Sequence, residues 1–592
     1  MPLNKEQQEA VEKIFNFFCD EDGGSYLLKG SAGTGKTFTV THIINEIGDD
    51  MEPDACKMNI TFCAPTHKAL RVLRKTMSDV SEKKENDFSK FNFLYQTTAR
   101  LLRKRNIKTL GEDGKIKDNF HSDGYDYKND LLISKDVYDE KNKEYITVYN
   151  FNDSIYNGGI YIIDECSMIG KEDYQILEKL KKQYNLKILY IGDWAQLAPI
   201  DMKSKKTKLS KTLTKTKQMT SLTKTERISN KYLFEIYGIF RNCVYDPSMD
   251  YKEFIYPFLR KNIEGVTITT SPKTFQDNIE KTFKAHEQSC VLSYTNKRVK
   301  YYNELVKDSI SPNKKCDWNI NDRIVFNKNF TTANASCVGI KIPDPTGRYE
   351  SVWEHWPCRY INNNDYGYIL DVEESVIDDE DTLTYFKLRK KKEIRIYKIE
   401  ILLLDRCCPF NKTSKINVCK VFKQDLARFQ KYKNKKKNEI LSKVGDSGFL
   451  SQTDTDMLNN HDSMVHSVNA PFLSAYATTI RKSQGSTYEN IFLDTIDLDY
   501  CSNIPTSDKA RALYTAVSRA SKNIFILVDF KNTNSKNNKF LSTDIFKKCS
   551  RCGSTKEIVN FVRSNGNVKK TCNNCSFGQR RIRKEKQNNI KN

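Results

Sequence analysis

The stretch that narrows the fold of this chain most is "SYLLKGSAGTGKTFTVTHIINEI", residues 25–47. A short apolar run ends at Gly30, a glycine-rich octapeptide follows, and apolar residues then recur with helical period. Glycines let backbone N–H groups wrap an anion, and the start of the next helix adds positive potential. Gly30, Ser31, Ala32, Gly33, Thr34, Gly35, Lys36 and Thr37 fit G-x-x-x-x-G-K-[ST]. Lys36 is expected to reach the β- and γ-phosphates of a nucleotide, and the Thr37 hydroxyl to hold Mg²⁺. A chance match rarely falls between a strand and a helix, so the phosphate reading outweighs it.

A loop of that kind needs a parallel sheet beneath it, and the chain supplies candidates for two. "SYLLKG", "NITFCAP", "GGIYIIDE" and "LKILYIGD" are short apolar runs within residues 25–193, each ending in Gly, Pro or an acid. "SCVLSYTNK", "ENIFLDTI" and "NIFILVD" repeat the rhythm later, with helical "KRVKYYNELV" and "KARALYTAVSRA" between them. Strands alternating with helices predict an α/β protein with two parallel sheets and ligands at the strand carboxyl ends. Three segments break the rhythm. Residues 103–155 read as a β-rich insertion. Residues 326–470 interrupt the second sheet with strand-like "YGYILDV" and "TYFKLRK" and a charged helical run. "KNTNSKNNK", 531–539, is too polar to fold alone and reads as a linker. The lysine- and threonine-rich stretch 203–225 reads as an exposed loop.

Composition narrows the partner. Lysine plus arginine outnumber acids 97 to 75, a net charge of +22, which favours a polyanion. Over-use of lysine would give the same surplus, so charge alone is weak. No run approaches the about 18 apolar residues of a membrane span, and the start lacks a signal pattern. The expectation is a soluble, intracellular protein with no membrane partner.

Chemistry beyond the phosphate loop comes from two strand ends. In "YIIDECSM", Asp164 is placed to hold Mg²⁺ and Glu165 to polarise an attacking water. Behind a phosphate loop these acids indicate an NTPase, with a kinase or a GTPase-like switch still open. "YIGDWAQLAPI" then sets Gln196 beyond the next strand, where a neutral amide can touch the γ-phosphate and register its loss. A motor needs such a sensor.

In these residues the chain resembles superfamily 1 helicases, in motif order to about residue 530. "LNKEQQEAV" resembles the Q motif, which would make Gln7 the reader of the adenine edge. "APTHKA" resembles the motif that holds single-stranded nucleic acid, implicating Pro65, Thr66 and His67, with Thr97 nearby in "YQTTARLL". "LTKTERISN" resembles motif IV and would make Arg227 an arginine finger. "SYTNKRV" resembles the opening of the second motor domain. "TTIRKSQGSTYENI" resembles motif V, with Lys482 on nucleic acid and Gly485 at the nucleotide, and "LYTAVSRA" resembles motif VI, with Arg519 the second finger. The resemblance implies two RecA-like P-loop motor domains, 1–225 and 226–325 plus 471–530, with an SH3-like accessory domain at 326–470. It implies ATP with Mg²⁺ as cofactors and single-stranded and forked DNA as partners. The wording of motifs Ia, III and V is similar to the 5′→3′ branch, the RecD, Pif-type and phage Dda helicases. Two departures stand out: Arg481 replaces the usual motif V histidine, and Ala99 replaces another near the nucleic-acid path. Trp353, Trp356 and Tyr360 are candidate base-stacking residues, although packing within the accessory domain explains the tryptophans better.

Of seventeen cysteines, the last four stand apart: Cys549, Cys552, Cys572 and Cys575 form C-x2-C, nineteen residues, C-x2-C. That spacing suits tetrahedral Zn²⁺ in a ribbon, here 545–592 after a linker at 531–544. The ribbon and its basic tail are expected to touch nucleic acid or dock a replication or recombination protein. The predicted fold is thus α/β, with two motor domains, β-rich insertions and a zinc ribbon. Two rival readings remain: an RNA helicase, and a scaffold that hydrolyses ATP without separating strands.

Overall fold

The structure is a computed structural model. It describes residues 3–20, 22–52, 56–81, 88–102, 159–200, 207–224, 230–259, 263–285, 288–311, 316–328, 363–388, 393–403, 415–442 and 452–530, with isolated short strands within 104–149, 330–361 and 546–557.

The first sheet has six parallel strands: β1 (Gly24–Gly30), β2 (Met58–Ala64), β3 (Phe91–Thr97), β4 (Ile160–Ile163), β5 (Lys187–Gly192) and β6 (Gln218–Leu222), in the order β6-β1-β5-β4-β2-β3. Its central strands are apolar on both faces because both are covered. Leu28, Ile160, Ile162, Leu189 and Ile191 face helices α1 (Lys5–Cys19) and α2 (Lys36–Asp50). The alternate residues Leu27, Tyr161, Ile163, Ile188 and Tyr190 face Ile176, Leu177 and Leu180 of a helix at Lys171–Gln183. Another helix, α3 (His67–Ser81), follows β2. Strand β6 corrects the reading of 203–225 as a loop. A short helix, Lys211–Lys215, and this edge strand both form there, and Tyr26 OH meets Thr220 Oγ1 at 2.7 Å. Inside 103–155 the strands pair as antiparallel hairpins, 104–110 with 116–122 and 134–139 with 144–149.

Strands β7 (Val266–Thr269) and β8 (Ser289–Ser293) begin a second sheet. The chain then leaves it for an antiparallel sheet of β9 (Arg323–Phe326), β10 (Tyr366–Val376), β11 (Arg395–Leu403), β12 (Lys415–Val421) and β13 (Phe472–Ser474). The first and last strands of this sheet in chain order, β9 and β13, lie at or just beyond the expected bounds of 326–470. "TYFKLRK" was expected as a strand, but Glu380–Phe386 is helical. Asp379 caps it by accepting from Thr382 N, and Lys387 ends it at φ +53°. The second sheet is completed by β14 (Ala477–Thr479), β15 (Tyr488–Asp494) and β16 (Ala520–Leu527), in the parallel order β7-β16-β15-β8-β14. Helices at Lys231–Tyr245 and Thr506–Val517 pack on one face through Ile236, Phe240, Leu513 and Val517; Phe275, Ile279, Tyr302 and Val306 cover the other. Among the described residues no helix is long and apolar enough to cross a membrane.

Candidate active site

The phosphate loop follows from its glycines. Gly33 and Gly35 lie at φ +81° and +78°, the left-handed region that disfavours a Cβ. A Cβ on Gly30 would sit 2.5 Å from Thr34 Oγ1, and one on Gly35 2.4 Å from Gln7 Nε2. The loop is therefore a cradle closed to side chains, which fits a phosphate. Lys36 Nζ folds back onto the carbonyls of Gly30 (3.0 Å) and Ser31 (2.9 Å), an ammonium held over the loop. Thr37 sits in the first turn of α2, which begins at Lys36. Gln7 is buried, with its carbonyl accepting from Asn4 N at 3.0 Å in the capping box of α1. Its amide nitrogen donates to Thr34 O at 3.2 Å, so one N–H and one lone pair remain for an incoming base.

Asp164 and Glu165 leave β4 two strands away, beyond β5. Glu165 takes φ +50°, an uncommon conformation for a side chain with a Cβ, and its N–H donates to Asp164 Oδ1 at 2.7 Å. Burial, then the charge of Glu165, push the Asp164 carboxyl well above its usual range, while the Glu165 N–H and Lys36 oppose them. Such a carboxyl suits a cation, and a bound metal would remove the conflict between the two acids. Asp164 and Thr37 thus fit Mg²⁺ in donor chemistry.

Gln196 follows β5 and is 3% exposed. With its amide oriented to satisfy both ends, it donates to Glu165 Oε2 at 3.3 Å and accepts from Arg519 Nη2 at 3.2 Å. One neutral amide thereby links an acid of the first sheet to an arginine of the second. Arg519 is buried, and its own domain holds it through Thr515 O (3.0 Å), Ser486 O (3.3 Å) and Ser518 Oγ (2.8 Å). Arg227 lies outside the described residues.

Further contacts across the cleft went unread in the sequence. Tyr514 OH donates to Asp193 Oδ2 at 2.7 Å, and Leu197 N donates to Thr515 Oγ1 at 3.1 Å. Arg511 Nη1 donates to Trp194 O and to Gln196 O, the latter at 3.2 Å, and its guanidinium lies 5.1 Å from the centre of the Trp194 ring. Arg241 Nη1 donates to Ser31 Oγ at 2.9 Å. The spacing of Arg511, Tyr514 and Thr515 could have signalled this, since i, i+3 and i+4 share a helix face; Arg519 lies just past that helix, which ends at Val517. Arg481, which stands where motif V usually has histidine, donates to Ala198 O at 3.3 Å.

The nucleic-acid candidates gather at the carboxyl ends of β2 and β3, where Ala64 pairs with Thr97. Thr66 Oγ1 accepts from Ala69 N (3.2 Å) beside Pro65 and His67 at the start of α3, and Thr97 Oγ1 accepts from Arg100 N (3.2 Å). Lys482 is exposed. Gly485, expected at the nucleotide, has φ +72° and packs against Ala69, where a Cβ would lie 2.9 Å from the Ala69 methyl. It therefore packs this turn against the start of α3. Trp353, Trp356, Cys549, Cys552, Cys572 and Cys575 lie outside the described residues, and Tyr360 pairs with Thr331 in a two-residue strand.

The AAA domain family model matches residues 2–233, and the UvrD-like helicase C-terminal domain matches residues 474–527. Uncharacterized protein R530 of Acanthamoeba polyphaga mimivirus is 24% identical over 546 residues, covering 89% of this chain and all of the relative. Among solved structures, the Pif1 helicase from Bacteroides in complex with ADP-AlF3 and ssDNA is 14% identical, with 89% of this chain and 92% of that chain covered at a TM-score of 0.42. The Pif1 helicase from Candida albicans is also 14% identical, with 89% and 95% covered at a TM-score of 0.40. The AAA domain match thus spans the strands of the first sheet, and the UvrD-like helicase C-terminal match spans β14 to β16 of the second.

Proposed function

We propose that this chain is an ATP-dependent DNA helicase of superfamily 1 that moves 5′→3′ on single-stranded DNA. The observation that carries this reading is the link Glu165–Gln196–Arg519, which ties the candidate water-activating acid to the second sheet through one amide. If hydrolysis requires that link, each turnover opens and closes the cleft, and a strand gripped on both sides is moved. In this reading Lys36 holds the β- and γ-phosphates, Glu165 orients water, and Arg519 and Arg227 stabilise charge from across the cleft. Asp164 and Thr37 would hold Mg²⁺, which supplies charge neutralisation of the phosphate oxygens. Gln7 sets the loop against the base through Thr34. Pro65, Thr66, His67, Thr97 and Lys482 form the strand path, and the contact of Gly485 with Ala69 supports reading motif V as part of it. The accessory sheet would close over the strand.

The same proposal includes a C-terminal zinc ribbon held by Cys549, Cys552, Cys572 and Cys575. Its supports are the spacing and a hairpin of residues 546–548 and 555–557 that brackets the first pair. Duplexes with a 5′ or a 3′ single-stranded tail, with Lys36→Ala as control, test the main reading. Unwinding from the 5′ tail alone, lost in the control, is expected. Unwinding from the 3′ tail would reverse the polarity, and ATP hydrolysis stimulated by RNA but not DNA would favour the RNA rival.

A further inference from the structure

Arg241 is absent from the roles assigned above, yet it reaches the phosphate loop from the opposite side of the cleft. It lies on the Lys231–Tyr245 helix, whose Phe240 and Val244 anchor in the core of the second sheet. Its Nη1 donates to Ser31 Oγ at 2.9 Å, and its Nε is buried without a hydrogen-bond partner. Asp193, an acid near enough to favour its charge, is already engaged by Tyr514 OH at 2.7 Å and Ala195 N at 3.0 Å. Lys36 Nζ meets the carbonyl of the same Ser31 at 2.9 Å. Two cations therefore converge on one small residue. Their repulsion becomes a shared grip once an anion enters the loop. Lys36 is the group expected at the β- and γ-phosphates, so the Ser31 side of the loop is the terminal-phosphate side.

The geometry points to Arg241 as a contact to the terminal phosphate of the bound nucleoside triphosphate, released from the Ser31 hydroxyl when the nucleotide enters. This rests on the reading of residues 30–37 as a nucleotide site. It adds a second-domain arginine distinct from Arg519, whose hydrogen bonds run to its own domain and whose approach to Gln196 is on the Glu165 side of the cleft.

Calorimetric binding of AMP-PNP and of ADP, each with Mg²⁺, to the full chain tests it. Arg241→Gln should weaken AMP-PNP by about 10- to 100-fold, as expected for one charge-assisted hydrogen bond, and ADP by less than about threefold. An AMP-PNP to ADP affinity ratio unchanged in Arg241→Gln overturns the inference. An equal loss for both nucleotides leaves that ratio unchanged and means that Arg241 only holds the loop. Should Arg241→Gln not fold, Arg241→Lys serves the same comparison, because an ammonium does not reproduce the guanidinium fork. Failure of the wild-type chain to bind either nucleotide would overturn the nucleotide reading itself, and is told apart because it needs no substitution.

Discussion

Arg511→Met removes the side chain that most directly ties the Gln196 loop to the second sheet. The arginine is 7% exposed, donates to the Trp194 and Gln196 carbonyls and lies over the Trp194 ring. Hydrogen bonds from a charged donor contribute about 1.5–3 kcal/mol each, and a partly desolvated cation over an indole about 0.5–2 kcal/mol. Neither sum is fully realised, because the free arginine regains hydration and the contributions overlap. A net loss of about 3–4 kcal/mol from the closed cleft is expected, or roughly 10²–10³ in the closing equilibrium. Methionine keeps most of the volume, so the helix should remain packed. Steady-state ATP hydrolysis with saturating single-stranded DNA is the assay. Expected is a fall in kcat of at least about tenfold with KM for ATP within about threefold, since the phosphate loop is untouched. Arg511→Lys should fall between, as one ammonium cannot serve both carbonyls and the ring equally. A kcat in Arg511→Met within about threefold of wild type would refute the reasoning, because closure would then not depend on this tie.

Gly35→Ala would force a left-handed alanine at a cost of about 1–2 kcal/mol and drive its Cβ into Gln7 Nε2; weaker ADP binding measured by calorimetry is expected, with unwinding lost in parallel. Asp494→Asn removes a buried carboxylate that accepts from Arg298 Nε (2.6 Å) and Tyr302 OH (2.9 Å), so a lower thermal midpoint and a loss of about 3 kcal/mol are expected, with ATP affinity at low temperature unchanged. Lys420 is buried, and burial followed by repulsion from Lys307 lowers its ammonium to about 7, while its Nζ donates to Ala470 O and Phe472 O. In the unfolded chain it titrates near about 10.4, so between these values the unfolded state binds the extra proton and stability rises with pH. Lys420→Met should therefore melt higher than the wild type by most at pH 7 and below, with the gap closing toward pH 10; a gap independent of pH would remove this account.

Much of the ATPase half was legible because its chemistry is local. A phosphate loop needs glycines, a lysine and a hydroxyl in consecutive positions, and both sides of that requirement can be read from eight residues. The buried parallel strands were legible for a related reason, since burial on both faces leaves an unbroken apolar run. Strand β6 escaped because it is an edge strand, half exposed, and its Gln218, Thr220 and Ser221 sit within a lysine- and threonine-rich stretch that resembles a solvated loop. The helix at Glu380–Phe386 escaped because "TYF" suits a strand, while the cap at Asp379 and the stop at Lys387 outweighed that preference.

The sequence by itself determined where the glycine-rich loop, the strand-end acids and Gln196 fall and in what order the motifs run. Only the tertiary structure decided what faces them. Arg241 and Ser31 are 210 positions apart, Tyr514 and Asp193 are 321 apart, and Arg481 reaches Ala198 over 283. No spacing rule spans such distances, because those pairs form only when two separately folded sheets pack against each other. Arg481 shows the consequence: its motif names no partner for it, and the packing sets it on a carbonyl of the opposite domain.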